Sequence, residues 1–234
     1  MSSLSIISIC QDEEEVIGWM LECCVYTYGV LKDLLKEVVI VDGGSKDNTL
    51  NIIKSYQNKI PLILIQHPFD SFGQQKNRAL EKSTGDYVFG PDADMTWTSN
   101  FPIVFKSGFY ESSDMWDFRM RFTADDSYHY FDWPLGVNMR LWKNKFKFVT
   151  NFHEKLDGQL YMNGLPVCPH VWLFENSFRQ SDKSLLNRGN RYQKFVKEME
   201  AAGGGPGSST RYLDAKNNGR KLELPHFLQK MVII

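Results

Sequence analysis

The sequence predicts an α/β protein built on a doubly wound, mostly parallel sheet, with a smaller antiparallel part after it. Three observations carry this prediction. Short apolar runs alternate with helical periodicity through the first hundred residues. The polar residues that follow those runs fall where open α/β sheets bind ligands. From Met115 onward the pattern changes to strict apolar/polar alternation.

Leu4 to Cys10 is a β-branched run and reads as strand one. From Glu13 onward Ile17, Met20, Leu21, Cys24, Val25 and Tyr28 recur at helical spacing, predicting an amphipathic helix. Glu37–Asp42 is nearly continuous in apolar residues, as in a strand buried on both faces. Ser45 offers an N-cap, with Asp47 in the first turn, for a helix bearing Leu50, Ile53 and Tyr56. Pro61–Gln66, Gln74–Ser83 and Asp86–Phe89 read as strand, helix and strand. In the second half, Trp116, Phe118, Met120 and Phe122 alternate with Asp117, Arg119 and Arg121, which suits a half-exposed antiparallel strand. Shorter strand signals follow at 137–142, 145–149, 159–162 and 167–173, then a helix over 182–201. Gly203–Ser209 has the composition of a flexible linker, leading into a tail that ends in apolar residues.

Composition bounds the function classes. The chain has 234 residues, 27 basic against 28 acidic, and a formal net charge of −1, so it lacks the basic footprint of a protein that grips nucleic-acid backbones. With 42% hydrophobic and 24% charged residues it has the usage of a folded domain rather than a disordered chain. The four cysteines, Cys10, Cys23, Cys24 and Cys168, show no zinc spacing and no disulfide framework. No signal peptide and no membrane span is expected, and the protein reads as cytoplasmic. Aromatic residues are in surplus at 14%; they serve either a core or the flat floors on which sugars lie, and Trp97, Trp116, Trp133 and Trp142 are open to both readings.

Four polar clusters converge on the carboxyl edge of the predicted sheet: Gln11–Glu15, Asp42–Thr49, Gly73–Leu80 and Gly90–Asp94. Asp92-Ala93-Asp94 is the sharpest. Carboxylates at i and i+2 beyond an apolar strand leave oxygen donors near one point, as Mg²⁺ or Mn²⁺ with a substrate phosphate requires. A solvated turn would use the same residues, and it is the position after strand four that favours a ligand. Asp42 reads as a turn former or as an acceptor for nucleotide donors. Glu13 reads as a helix N-terminal acid or as a nucleotide contact. Lys76 and Arg78 are either solvated helix charges or cations for a diphosphate.

Together these residues resemble the family 2 glycosyltransferases of the GT-A fold. The family pattern is an apolar strand ending in N-E-E, then v-D-d-g-S-x-D-g-T, then a-R-N-x-a-l, then a-t-G-d-y-i-l-f-l-D-a-D. This chain has Gln11-Asp12-Glu13-Glu14, Val41–Thr49, Lys76-Asn77-Arg78-Ala79-Leu80 and Ser83–Asp94 in that order. It departs from the pattern at Asp12, Gly43, Lys76 and Gly90-Pro91. The second half is similar to the lipopolysaccharide-core glucosyl- and heptosyltransferase-like branch through Arg140–Asn144, Phe152-His153-Glu154 and Val167–His170.

The resemblance implies one GT-A domain over 1–202, divided into a nucleotide-sugar half at 1–98 and an acceptor half at 99–202, with 203–234 as linker and tail. It implies inverting, metal-dependent transfer of a sugar, glucose from UDP-glucose being the family's commonest donor, to a hydroxyl on a glycan or other acceptor. Gln11, Glu13, Asp42, Lys76, Asp92 and Ala93 would bind the nucleotide-sugar. Asp94 and His170 would hold Mn²⁺ or Mg²⁺, and Glu154 would be the catalytic base. From the residues alone His170, in an apolar strand, reads first as a core histidine, and Asp125, Asp126, Asp132 and Asp157 rival Glu154. Two other classes compete. A sugar-nucleotide pyrophosphorylase would need a Gly-rich basic loop after strand one, where this chain has Gln-Asp-Glu-Glu-Glu. A non-catalytic carbohydrate-binding relative would have no need of an intact D-x-D.

Overall fold

The computed structural model describes residues 1–123, 129–131, 137–150, 155–157, 164–176, 180–181, 183–190 and 221–223. Its strands are β1 (Leu4–Cys10), β2 (Leu35–Asp42), β3 (Leu62–Gln66), β4 (Tyr87–Phe89), β5 (Met95–Trp97), β6 (Met115–Thr123), β7 (His129–Phe131), β8 (Val137–Lys143), β9 (Val167–Glu175) and β10 (Lys221–Glu223). The helices are α1 (Ile17–Leu31), α2 (Thr49–Lys54), α3 (Phe72–Leu80) and α4 (Phe101–Lys106), with a further helical stretch at 183–190.

One sheet runs in the order β10-β7-β6-β8-β4-β1-β2-β3, with β9 beside β6 and β5 beside β9. β4, β1, β2 and β3 are parallel. β8 then joins β4 in antiparallel register, so the antiparallel half continues the same sheet. β1 lies between two parallel neighbours and is buried on both faces, as a central parallel strand is, with the Ser5 and Ser8 hydroxyls donating to Glu37 and the Pro91 carbonyl. Ile6, Val38 and Ile40 pack with Ile17, Met20 and Leu21 of α1 and with Phe101 of α4. On the opposite face Ile7, Val39, Val41 and Val88 pack with Ala79 and Leu80 of α3 and with Trp142. Alternate residues of each strand therefore feed two cores, one on each side.

Two expected elements differ. α2 starts at Thr49, and Ser45 does not cap it. The carboxylate of Asp42, fully buried, takes the Ser45 hydroxyl and the Ser45 and Gly44 N–H groups instead, so the polar turn is consumed by β2. Residues 145–149 form no strand; Phe148 makes an isolated bridge to Leu156. The predicted helix at 182–201 is helical over 183–190 among its described residues, and the predicted strand at 159–162 lies outside them. Within the predicted tail, β10 pairs with β7, and the rest of 203–234 lies outside the described residues.

All four cysteines are unpaired and buried. No helix among the described residues is long and apolar enough to cross a membrane.

Candidate active site

The site forms where β1, β2 and β4 end. Hydrogen bonds knit the turns after β1 and β2 together. Asp12 sits in the left-handed region at φ 53° and accepts from the Lys46 N–H at 2.7 Å, while its own N–H donates to Ser45 Oγ at 2.9 Å. The Glu13 N–H donates to Thr49 Oγ1 at 2.8 Å, and Glu14 accepts from the Asn48 N–H at 2.8 Å. Half of the acidic run therefore bonds backbone N–H groups of the neighbouring turn. Gly43 packs closely here: a Cβ on it would lie 3.3 Å from the Cys10 carbonyl oxygen and 3.4 Å from Gln11 Cβ, tighter than most side-chain contacts. Gln11 is half-buried at this junction.

The other two acids of the run face the segment at 180–190. Buried Glu13 accepts from Gln180 Nε2 at 2.7 Å. Glu15 accepts from the Ser181 N–H at 2.5 Å and from the Ser181 and Ser184 hydroxyls at 2.8 and 2.9 Å. Burial would push the Glu15 carboxyl up, but these donors outweigh it and hold it below its ordinary value. The segment at 180–190 is thus tied across the mouth of β1.

Beyond β4 the two carboxylates of the D-x-D have separate surroundings. Asp92 accepts both Arg140 Nη groups, at 3.0 and 2.5 Å, and lies 3.6 Å from Lys76 Nζ. Burial raises its pKa, but Arg140 and then Lys76 outweigh that and bring it to about 2. Arg140 arrives through strand pairing: the Gly90 N–H donates to its carbonyl at 2.8 Å. Ala93 turns its methyl into the main core. Asp94 is 1% exposed, accepts from Arg188 Nη1 at 2.6 Å, and its Oδ1 has no partner among the described residues. Its backbone carbonyl is pinned by the Asn176 N–H and side-chain amide at 2.8 and 3.0 Å.

The structure therefore gathers Gln11, Glu13, Asp42, Lys76, Asp92, Ala93 and Asp94 at one edge, and it does not bring His170 to Asp94. β9 carries three extra residues relative to β6 between Cys168 and Trp172. His170 falls in that irregularity, exposed, with its ring 5.1 Å from that of Phe109 and its carbonyl accepting from Asn100. Asp94 lies at the far end of β9, next to Asn176. Among the described residues no three His, Cys, Asp or Glu side chains are grouped to hold a metal. A divalent cation still fits at Asp94, whose buried Oδ1 lacks a partner among those residues, if substrate oxygens and water complete its shell.

Glu154, Asp125, Asp126, Asp132 and Trp133 lie outside the described residues. Asp157 accepts from the Lys147 N–H at 3.3 Å, within the Phe148–Leu156 bridge. Trp97, Trp116 and Trp142 are buried: Trp97 Nε1 donates to Thr27 Oγ1 and Trp116 Nε1 to the Tyr110 carbonyl, so these rings belong to the core. Trp172 is half-exposed, with Arg119 and Arg121 at 5.5 and 5.3 Å.

Sequence reasoning missed Arg140, Gln180 and Arg188 as site residues. Arg140 stood in a quoted motif with no role attached; for Gln180 and Arg188 no local signal exists. An open cleft of about 770 Å³ lies at the opposite end of β4, lined by Thr84, Asp86, Glu111, Lys143 and Lys145. Its charges are satisfied internally, Lys143 and Lys145 by Asp114, and Asp86 and Glu111 by Ser3 and Ser2.

Residues 5–106 match the model of Glycosyl transferase family 2. Over 92 residues the chain is 33% identical to the lipopolysaccharide core biosynthesis glycosyltransferase LpsC of Rhizobium meliloti, covering 39% of this chain and 31% of that protein. Among solved structures it is similar to S. aureus TarS 1–349. The crystal structure of TarS with UDP-GlcNAc superposes with TM-score 0.57 at 19% identity, covering 78% of this chain and 60% of that one. Another TarS 1–349 structure gives 0.55 at 20% identity, covering 75% and 60%. The chain thus spans about a third of LpsC and three fifths of TarS 1–349. The fold is of the GT-A type.

Proposed function

Since residues 5–106 match the model of Glycosyl transferase family 2, we propose that the protein transfers a sugar from a nucleoside-diphosphate donor, UDP-sugar foremost, to an acceptor hydroxyl with inversion. The observation that carries this reading is the gathering of Asp92 and Asp94, with Lys76, Arg140 and Arg188, on the strand ends beside the Asp42 turn. TarS 1–349 has been crystallised with UDP-GlcNAc on the same fold, which favours a uridine nucleotide here.

Gln11, Glu13 and the turn closed by Asp42 form the nucleoside side of the site. Gly43 lies close to Gln11 in that turn, with its N–H donating to the Cys10 carbonyl at 2.8 Å. Lys76 and Arg140 hold Asp92 rigid, with Ala93 anchoring the same loop in the core. Mn²⁺ or Mg²⁺ on Asp94 would offset the negative charge that develops on the departing diphosphate. Glu154 is the proposed base, taking the acceptor hydroxyl's proton as the oxygen attacks the face opposite the leaving group. A cytoplasmic location suits four buried, unpaired thiols. Glucose remains the proposed sugar on the family resemblance.

A melting panel of UDP, GDP and dTDP, with and without Mn²⁺, tests the donor site. At a hundredfold excess over its Kd a bound ligand adds about 2.7 kcal/mol. At about 2–4 °C per kcal/mol for a chain of this length, that is a rise of roughly 5–10 °C. Asp94→Ala should abolish the Mn²⁺-dependent part. Glu154→Gln should keep the nucleotide shift and lose transfer by about 10²–10⁴-fold. If no nucleotide raises the melting temperature and Asp94→Ala leaves transfer intact, the reading is wrong.

A further inference from the structure

We propose that Arg188 is a donor-site residue that occupies Asp94 in place of a divalent cation and passes to the donor's diphosphate when cation and donor arrive together. The inference rests on the donor reading above. Asp94 is 1% exposed and its side chain has one partner among the described residues, the Arg188 guanidinium at 2.6 Å on Oδ2. Oδ1 is buried and unpartnered among them. A carboxylate this deeply buried needs a cation beside it, and only one of this one's two oxygens is engaged.

Arg188 can leave without dismantling the fold. Its side chain is 28% exposed, whereas that of Arg140 on Asp92 is 8% exposed. The segment that carries it is tied down separately, by Gln180 on Glu13 and by Ser181 and Ser184 on Glu15. Those tethers keep the guanidinium at the strand ends even when its bond to Asp94 is broken.

Charge dictates where it goes. Lys76, Arg140 and Arg188 face Asp92 and Asp94, and Arg188 also stabilises the ionised form of Asp92. A divalent cation on Asp94 would repel the guanidinium, and the anion that enters with that cation is a diphosphate. The planar fork of an arginine matches phosphate oxygens bidentately, which a lysine does not. Arg188 is therefore a counter-ion in the empty site and a diphosphate ligand in the loaded one.

Mn²⁺ is titrated into the full chain without nucleotide, by calorimetry or electron paramagnetic resonance, for wild type, Arg188→Gln and Arg188→Lys. Competition predicts that Arg188→Gln binds Mn²⁺ about tenfold more tightly, the effect of removing one charge-assisted hydrogen bond. Arg188→Lys should fall between the two and stands in if the glutamine variant does not fold. At saturating Mn²⁺ the same variants are titrated with UDP, where Arg188→Gln should bind about tenfold more weakly. Unchanged or weaker Mn²⁺ binding by Arg188→Gln, or no Mn²⁺ binding by any form, overturns the competition. Tighter Mn²⁺ with unchanged UDP affinity overturns the transfer to diphosphate. Wild-type protein that binds Mn²⁺ but no nucleoside diphosphate sinks the donor reading and the second position of Arg188 with it, while the Mn²⁺ comparison still decides the first.

Discussion

Asp92 tests whether the D-x-D is a rigid scaffold or a loose pair of ligands. Replacing it with Asn keeps the shape and removes the charge, leaving Arg140 and Lys76, 7% and 8% exposed, without their anion. Breaking a buried ion pair from one side costs about 3–5 kcal/mol. The Asp92 side chain is 34% exposed, so water recovers part of that and about 2–4 kcal/mol is expected. At roughly 2–4 °C per kcal/mol the melting temperature should fall by about 4–16 °C. The assay is a double-mutant cycle of Asp92→Asn, Arg140→Met and the pair, followed by thermal or urea unfolding. Because Arg140 donates two hydrogen bonds to Asp92, the double variant should be less destabilised than the sum of the singles by about 1.5–3 kcal/mol. Strict additivity, or an Asp92→Asn protein as stable as wild type, would refute the scaffold.

The same carboxyl sets an acid limit on stability. Its folded pKa is about 2 against an ordinary 3.8, so the ionised form is favoured in the folded state and the stabilisation is complete above the unfolded value. It is lost as pH falls through about 4 to about 2. With about 1.36 kcal/mol per unit, discounted for exposure, the contribution is roughly 1–2 kcal/mol. The stability gap between wild type and Asp92→Asn should be constant above pH ~5 and shrink below pH ~4; a gap that widens on acidification contradicts this. Gly85→Ala should destabilise by about 3 kcal/mol or more, read from urea midpoints, since the new Cβ would lie 2.5 Å from the Leu4 carbonyl carbon and 2.6 Å from the Ser5 nitrogen, backbone atoms that cannot yield. Gly44→Ala meets open space but must hold φ +97°, so it should cost only about 1–2 kcal/mol. Burial pushes Cys10 and Cys24 well up and Cys23 to about 12, so a disulfide reagent should label them within minutes only in denaturant; rapid labelling of the native chain would show that the α1 core opens.

The parallel half was legible because each of its strands answers to two cores at once. Val38 and Ile40 face one helix layer while Val39 and Val41 face the other, and only a continuous apolar run satisfies both. Periodicity is equally clear in β6, where every even residue from Trp116 to Phe122 is buried. What periodicity cannot report is who stands opposite. Among the acids after β1 only Glu13 reads as a helix N-terminal acid or a nucleotide contact, yet Asp12 and Glu14 hold the next turn, while Glu13 and Glu15 hold residues more than 160 positions away. Ser45 looked like a cap because its local surroundings suit one, and it lost that role to a buried carboxylate three residues earlier.

His170 shows how register can undo a motif. The Val167–His170 motif is intact, but three extra residues in β9 shift everything beyond Cys168, so the imidazole meets Phe109 while Asn176 meets Asp94. Arg140 shows the converse. Nothing near it in sequence is acidic, yet the antiparallel pairing of β8 with β4 sets Leu141 opposite Phe89 and so brings the next residue along to Gly90, two positions before Asp92. The carboxylates of the site are written in the strand ends. Their cations are delivered by strand order and by one distant tethered segment, which is why the charge at Asp92 and Asp94 is set by topology rather than by the D-x-D itself.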